Sequence, residues 1–261
     1  MNKTVPAIEA KDLSMVWGKL NVLRKINLLV NSGEKLAIVG PSGTGKSTIL
    51  KILAGLILPT NGLLKIFGEE QNYLRLDQNN PPDVRLVFQN PALLGSLTIE
   101  ENVGFILNRN KKIPKKFIKD LVNECLEEVG LFNVAQKLPN ELSGGMQKRV
   151  SFARALISEP KGKKENEPLL LFDEPTAGLD PIASSRIEDL INKTNDKVKG
   201  SSIVVSHVLS TIERTSTKVL MLYGGKFRWE GSVHDFKNSN DPYVYQFRTG
   251  KLEGPMQPKE I

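Results

Sequence analysis

The chain carries Gly-Pro-Ser-Gly-Thr-Gly-Lys-Ser-Thr from Gly40 to Thr48. This stretch matches the pattern G-x-x-x-x-G-K-[ST] at every fixed position. Glycines in such a loop allow backbone N–H groups to surround an anion, and the positive end of the helix that follows adds to the attraction. The stretch therefore predicts a site for the phosphates of a nucleotide.

The segments on either side of this loop supply the context that the pattern needs. Lys35 to Val39 is a short apolar run, typical of a buried parallel strand. Ile49 to Gly55 has helical spacing and stops at a glycine. Lys46 is placed to reach the β- and γ-phosphates, and the Ser47 hydroxyl to face Mg²⁺. The candidate phosphate-binding residues are Gly40, Pro41, Ser42, Gly43, Thr44, Gly45, Lys46, Ser47 and Thr48.

The composition is that of a globular protein with one large domain, or a core and a subdomain. Of 261 residues, 39% are hydrophobic and 25% charged, and no apolar run approaches the ~18 residues that span a bilayer. Met1 to Lys11 lacks the apolar region of a secretory signal. The single cysteine, Cys125, excludes an internal disulfide and is expected in the core. The net charge of +7 comes from scattered lysines without interleaved aromatic residues, which favours a solvated surface and no nucleic-acid partner.

Three further segments predict short buried strands and end on polar residues suited to phosphate chemistry. The polar residues are Gln89 after 85–88, Asp173 and Glu174 after 169–172, and His207 after 201–206. Chemistry in a doubly wound sheet lies at the carboxyl ends of its parallel strands. Asp173 is a candidate Mg²⁺ ligand and Glu174 a candidate to polarise water, although a salt-bridged strand end is the alternative. A purely structural role is the alternative for His207.

Two other segments carry candidate nucleotide contacts. Ile8 to Trp17 partly alternates and predicts a strand of an antiparallel layer. Trp17 either stacks on a flat base or packs within the sheet. Leu142 to Gln147 opens a helix with Ser143 as a suitable cap, and two glycines beside it leave amides free for a phosphate. A plain loop is the alternative for this Ser-Gly-Gly.

The remaining sequence divides into four patterns. From about 90 to 159 the pattern is helical, with one apolar face that stops at Gly130. Pro160 to Pro168 predicts a polar loop, and Val219 to Trp229 a hairpin across Gly224-Gly225. The tail from His234 predicts a loose helix and coil.

Taken in order, these motifs resemble the nucleotide-binding subunit of ATP-binding-cassette (ABC) transporters. The likeness runs from Ile8 to Ser232 and rests on Walker A (40–47), the Q-loop Gln89, the signature (142–147), Walker B (169–173), Glu174, the D-loop (177–180) and the switch residue His207. It implies an α/β fold with a P-loop NTPase (RecA-like) core, an antiparallel β-subdomain and an ABC-specific α-helical subdomain at about 90–159. The implied ATPase domain is 1–232, followed by a C-terminal extension, 233–261.

The resemblance also implies the chemistry. ATP and Mg²⁺ are the expected ligands, in a head-to-tail homodimer with each ATP between one subunit's Walker A loop and the other's signature. The implied catalytic residues are Glu174, His207 and Gln89, and the implied Mg²⁺ ligands are Ser47, Gln89 and Asp173. Further implied ATP contacts are Trp17 on the adenine, and Ser143, Gly144, Gly145 and Asp180. Two features depart from the family pattern: Val208 stands where an acidic residue is common, and the 160–168 loop is longer than usual.

The tail resembles a narrower group, the ATPases that serve MCE-domain lipid transporters such as the bacterial Mla system and the chloroplast trigalactosyldiacylglycerol importer, with cyanobacterial-like features. This likeness rests on 231–236, 240–242, Gln246-Phe247, Gly250 and Gly254-Pro255, and on 88–93 around the Q-loop. It implies that ATP hydrolysis powers lipid transport through an integral-membrane permease with an MCE-domain lipid-binding partner. The implied location is peripheral, on the cytoplasmic face of the inner (plasma) membrane, or the stromal side of the inner envelope in a plastid.

Other functions are compatible with parts of this pattern. An importer ATPase for amino acids or another small solute would carry the same cassette. DNA-repair ATPases split the cassette with long coiled coils, and no sustained heptad run occurs here. Ribosome-binding translation factors normally carry two cassettes, whereas this chain has one phosphate loop.

A contact with a permease requires an exposed surface. In the family a groove near the Q-loop receives a cytoplasmic permease helix. The corresponding residues here are Ala92, Leu93, Leu94 and Leu97, which are unusually apolar for a loop. The alternative is that these leucines pack the core of the helical subdomain.

Overall fold

The computed structural model describes residues 5–109, 112–157 and 167–257. The first layer is an antiparallel sheet with strand order β2-β1-β4-β5. Its strands are β1 (Ile8–Trp17), β2 (Leu20–Val30), β4 (Asn61–Ile66) and β5 (Glu69–Glu70). The predicted antiparallel layer before the phosphate loop is therefore present, and Trp17 lies at the end of its longest pairing with β2.

The second sheet has the order β10-β9-β3-β8-β7-β6. Its strands are β3 (Lys35–Val39), β6 (Val84–Val87), β7 (Leu169–Asp173), β8 (Ser201–Val205), β9 (Lys218–Tyr223) and β10 (Lys226–Ser232). All neighbours are parallel except β10, which forms the predicted hairpin with β9. β7 and β8 are buried along their whole length, which explains their nearly continuous apolar sequences.

Helices cover this sheet and form a separate subdomain. α1 (Lys46–Leu53), α6 (Pro181–Val198) and α7 (Leu209–Thr215) follow strands of the parallel sheet. The helical subdomain contains α2 (Ile99–Val103), α3 (Phe105–Asn108), α4 (Lys115–Glu128) and α5 (Gly144–Leu156). Cys125 is 2% exposed in the core of this subdomain, as expected from its apolar helical pattern. Within the described ranges, no helix has the length and apolar character needed to cross a membrane.

The C-terminal tail is more ordered than the sequence suggested. It forms α8 (Val233–Asn238) and α9 (Pro242–Thr249), and Phe236 and Val244 bury against strands β3 and β9. The predicted helix and coil are present, but the helices are packed and not loose, because short helices gain their stability from tertiary packing, which local sequence does not display. β10 ends at Ser232, while the division into a 1–232 domain and an extension stays a prediction. Most of the predicted 160–168 loop lies outside the described residues.

Candidate active site

The phosphate loop between β3 and α1 has a backbone that requires glycine. Gly40 adopts φ 147°, and a Cβ there would lie 2.2 Å from the carbonyl oxygen of Leu222 on β9. Gly43 and Gly45 also have positive φ, at 73° and 103°. Such angles are open to glycine at little cost. The loop therefore lies directly against the sheet, with its amides at the N-terminus of α1.

The Lys46 ammonium is held inside this loop. Its Nζ donates to the carbonyl oxygens of Gly40 and Pro41, both at 2.8 Å, and the residue is 8% exposed. Burial lowers the pKa of Lys46, while the charges of Glu174 and Asp173 oppose that shift. The two carbonyls satisfy the ammonium without a ligand, and phosphate oxygens can replace them.

Ser47 and Asp173 meet at the start of α1 and the end of β7. The Ser47 hydroxyl donates to Asp173 Oδ1 at 3.0 Å. Burial raises the pKa of Asp173, the Ser47 hydrogen bond opposes the rise, and the nearby Glu174 charge supports it. Among the residues that the structure describes, no cluster of three or more His, Cys, Asp or Glu could hold a metal. A hydroxyl beside a buried carboxylate nevertheless fits Mg²⁺, which typically takes one or two protein oxygens together with phosphates and water.

Glu174 follows β7 in a strained conformation. Its φ is 45°, and it is 8% exposed. Non-glycine residues rarely adopt such angles, and those that do concentrate at functional sites. The carboxylate Oε2 lies 2.9 Å from His207 Nδ1, across the carboxyl ends of β7 and β8. The predicted base and the predicted switch residue are therefore in direct contact.

Apart from Asp173, which lies behind Ser47 and outside the lining, these side chains line one pocket of about 760 Å³. Of the predicted residues, its lining includes Trp17, Gly40, Pro41, Ser42, Gly43, Gly45, Lys46, Ser47, Thr48, Gln89, Glu174 and His207. Trp17 is 53% exposed, so its ring is available to a base and is not packed within the sheet. The pocket also includes Leu20, Val22, Lys51 and Phe247, which sequence reasoning missed. Phe247 lies on α9, and in the sequence it was noted only as part of the resemblance of the tail.

The signature residues lie elsewhere. Gly144 and Gly145 line a separate cavity of about 490 Å³ together with Gln89 and the D-loop residues 177–179. Ser143 caps α5 by accepting from the Met146 amide at 3.3 Å, as predicted. A Cβ at Gly144 or Gly145 would meet nothing within 4 Å. The fold of one chain therefore leaves open space around both glycines, as close approach by another molecule would require.

Two predicted ATP contacts have local roles within the chain. Thr44 is outside the pocket lining, and its hydroxyl donates to the Pro41 carbonyl at 2.9 Å. Asp180 caps α6, accepting from the amides of Ile182 and Ala183 at 2.9 Å each. The hydrogen bond from Ala183 contributes most to lowering the pKa of Asp180. Contact of Asp180 with ATP stays a prediction.

Two cations on α5 were not singled out from the sequence. Lys148 Nζ donates to the Ala177 carbonyl at 2.5 Å, which ties the signature helix to the D-loop. Arg154 donates to the carbonyls of Pro91 and Ala92 at 2.9 and 3.0 Å. Scattered lysines and arginines resemble ordinary surface charge in a sequence, so these contacts required the tertiary structure to find them.

A family model described as ABC transporter matches residues 23–177. The chain belongs to the ABC transporter family. It is an ABC-type ATPase, and the resemblance drawn from the motifs is confirmed. The chain is 44% identical to the chloroplastic protein TRIGALACTOSYLDIACYLGLYCEROL 3 of Arabidopsis thaliana, over 96% of this chain and 75% of that protein. It is 34% identical to the intermembrane phospholipid transport system ATP-binding protein MlaF of Haemophilus influenzae, over 96% of this chain and 93% of that one.

Solved structures confirm the predicted α/β fold class of this ABC ATPase. A dimeric ATP-binding cassette in a post-hydrolysis state, bound to ADP and Pi, superposes with a TM-score of 0.74 at 29% identity. The match covers 87% of this chain and 98% of that structure. The cassette thus spans most of the chain.

Proposed function

We propose that this ABC ATPase powers lipid transport through an integral-membrane permease. The observation that supports this proposal is the likeness, along 96% of the chain, to two proteins, one named for a galactolipid and the other for phospholipid transport. From the resemblance of the tail and of 88–93, we further propose an MCE-domain lipid-binding partner and a peripheral place on the cytoplasmic face of the inner membrane, or on the stromal side of a plastid envelope. The alternative function is that of an importer ATPase for a small solute, which would carry the same cassette, but no observation at the site favours it.

The site suggests how the chain's own residues act on ATP. Trp17 offers its exposed ring to the base, and the loop amides and Lys46 bind the phosphates. The Glu174 carboxylate accepts a proton from the attacking water, so that the water oxygen forms a bond to the γ-phosphorus as the bond to the ADP oxygen breaks. His207 orients Glu174 and donates to the γ-phosphate. Ser47, Asp173 and Gln89 would hold Mg²⁺, which would supply positive charge beside the phosphate oxygens.

A second copy of the chain completes the site in this proposal. Within one chain, Ser143 and the two glycines after it lie outside the nucleotide pocket, and open space surrounds the glycines. A head-to-tail homodimer would bring these residues over the γ-phosphate bound to the other subunit. The dimeric state of the superposed cassette supports this arrangement.

The permease requires a docking surface, and the structure offers a groove of about 520 Å³ between the core that carries α1 and β6 and the helical subdomain. Its apolar lining includes Leu56, Phe88, Ala92 and Ile106. Of the loop residues predicted to line it, only Ala92 does so. Leu93 packs against the core of the helical subdomain, as its alternative reading held, whereas Leu94 remains 44% exposed. We assign this groove to a cytoplasmic helix of the permease.

The decisive experiment combines activity with cargo. The transporter is purified from native membranes through a tag on this chain, and bound lipid is identified by mass spectrometry. Glu174→Gln in that assembly should retain ATP binding and lose turnover by ~10²-fold or more, because the base no longer accepts a proton. Wild-type hydrolysis by Glu174→Gln would falsify the base assignment. Recovery of an amino-acid permease without lipid would overturn the lipid assignment.

A further inference from the structure

Glu188 on α6 is a buried acid that the nucleotide site does not use. It is 1% exposed. Its Oε1 accepts from the hydroxyls of Ser210 and Thr211 at 3.0 and 2.9 Å, and its Oε2 lies 3.3 Å from a guanidinium nitrogen of Arg214. A buried carboxylate is tolerated only with such partners. All three donors lie on α7, so Glu188 fastens α7 to α6.

The hydrogen bonds continue beyond Glu188 in a fixed direction. The Thr211 hydroxyl oxygen also lies 2.9 Å from the hydroxyl oxygen of Thr176, and both residues are almost fully buried. An ionised carboxylate only accepts, so the single hydrogen of the Thr211 hydroxyl points to Glu188. Thr176 must then donate to Thr211. The result is an ordered chain from Thr176 through Thr211 to Glu188, in which each bond polarises the next.

This hydrogen-bond chain joins the two segments that carry the reacting side chains. Thr176 lies two residues after Glu174, and α7 begins two residues after His207. The same segments also meet where His207 Nδ1 contacts Glu174 Oε2 at 2.9 Å. Ile212 also packs α7 into the core. The buried hydroxyl contact adds a directional constraint to that packing and helps to fix the orientation of the helix, and thereby the position of the imidazole.

The start of α7 makes this second contact more important. Val208 occupies the N-cap position without a side-chain hydrogen bond to the helix. Its own amide instead donates to the Ser206 hydroxyl at 3.0 Å. An acidic cap would have anchored the first turn. Here the anchoring comes from Glu188, across the helix packing.

We propose that Thr211, linked to Thr176 and Glu188, is a positioning residue that holds His207 against Glu174 for ATP hydrolysis. The proposal rests on the roles given above to His207 and Glu174. It concerns the orientation of the switch histidine and adds no contact with ATP.

Two substitutions separate the hydroxyl from the shape of Thr211. Thr211→Val keeps the branched shape and removes the hydroxyl, whereas Thr211→Ser keeps the hydroxyl. For the full-length chain, Thr211→Val should lower kcat about tenfold with KM for ATP within about twofold, and Thr211→Ser should stay within about twofold in both. Thr215→Val is the matched control, because the Thr215 hydroxyl is buried on the same helix and donates only to the Thr211 carbonyl. It should leave kcat unchanged.

A double-mutant cycle tests whether the effect passes through His207. In a His207→Ala background, Thr211→Val should cause no further loss of kcat, since the imidazole to be positioned is already absent. A full tenfold loss in that background overturns the proposal. So does an unchanged kcat in Thr211→Val accompanied only by a lower melting temperature. If Thr211→Val does not fold, Thr176→Val breaks the same chain from its other end and carries the same expectation.

The outcomes distinguish this inference from the function on which it rests. Slow hydrolysis by His207→Ala with normal hydrolysis by Thr211→Val removes the positioning role and leaves the ATPase mechanism intact. Normal hydrolysis by His207→Ala removes the proposed role of His207, and the positioning role falls with it.

Discussion

Ile106 provides the sharpest test of the docking groove. It lies on α3, lines the groove and is 58% exposed, whereas its neighbour Leu107 is fully buried. Complete burial of such a side chain is worth ~1.5–3 kcal/mol, so an exposed fraction of 58% leaves about 0.9–1.7 kcal/mol to be gained on docking. Ile106→Ala should therefore weaken permease binding about fivefold.

Ile106→Asp should have a larger effect. In addition to the lost apolar contact, a carboxylate would have to leave water on docking without a partner. An added cost of at least ~1.4 kcal/mol contributes another factor of ten, and together these predict a loss of ~50-fold or more. Folding should change little, because substitutions of exposed residues usually stay within about 0.5 kcal/mol.

The assay is capture of the permease from detergent-solubilised membranes through a tag on this chain, measured as permease per captured chain. Leu252→Asp is the control, since Leu252 is 87% exposed in the tail and does not line the groove. The melting temperature of each isolated subunit reports folding. Full capture by Ile106→Asp at an unchanged melting temperature would refute docking in the groove.

Further predictions follow from other contacts. Gly40→Ala should lose several kcal/mol of stability, ~3 or more, because its Cβ would meet the Leu222 carbonyl at 2.2 Å; a normal melting temperature counts against this. Gly144→Ala should leave melting unchanged or raised, since nothing lies within 4 Å, but should lower ATPase activity if the partner's ATP contacts this turn. Lys46→Ala should weaken ATP binding, and equal affinity by calorimetry would remove its role as phosphate anchor. Burial, aided by the Glu128 charge, raises the pKa of Cys125 from 9.0 to about 11, so iodoacetamide at pH 8 should label only the unfolded chain. The same shift contributes stability below pH 9 that is lost as pH rises toward about 11, which urea unfolding across that range would measure.

The ends of the buried parallel strands were predicted well, because such strands are short apolar segments that can be recognised in the sequence. β7 is apolar up to Asp173 and β8 carries the apolar run 203–205, so the polar residues that follow were expected at the carboxyl edge of the sheet. Asp173, Glu174 and His207 do lie at that edge, while their roles stay predictions. The contact of 2.9 Å between Glu174 and His207 is explained by the pairing of β7 with β8, because it brings the ends of the two strands together.

Contacts that join distant segments through ordinary residues could not be predicted. Ser210 and Thr211 are more than twenty residues from Glu188, and no sequence pattern indicates that their hydroxyls bind its carboxylate and so join α7 to α6. The contacts of the buried Asn102 could not be predicted either. Its Oδ1 accepts from the backbone N–H of Leu94 at 2.7 Å, and its Nδ2 donates to the carbonyl of Leu97 at 3.0 Å. This pairing shapes the loop after the Q-loop, and it explains why that loop is ordered although its composition predicted only an apolar surface.

Helix α5 links the signature, the D-loop and the docking groove. Its first turn carries the signature glycines, and Lys148, near that end, donates a hydrogen bond to the carbonyl of Ala177 in the D-loop. Its last turn carries Arg154, which holds the carbonyls of Pro91 and Ala92 beside the docking groove. A helix moves as a rigid rod over such a distance, since its backbone hydrogen bonds resist bending. In the proposed assembly, displacement of the groove by a docked permease helix would move the signature end and the D-loop together, so the contacts of Arg154 and Lys148 would couple docking to the nucleotide that we propose lies against the signature.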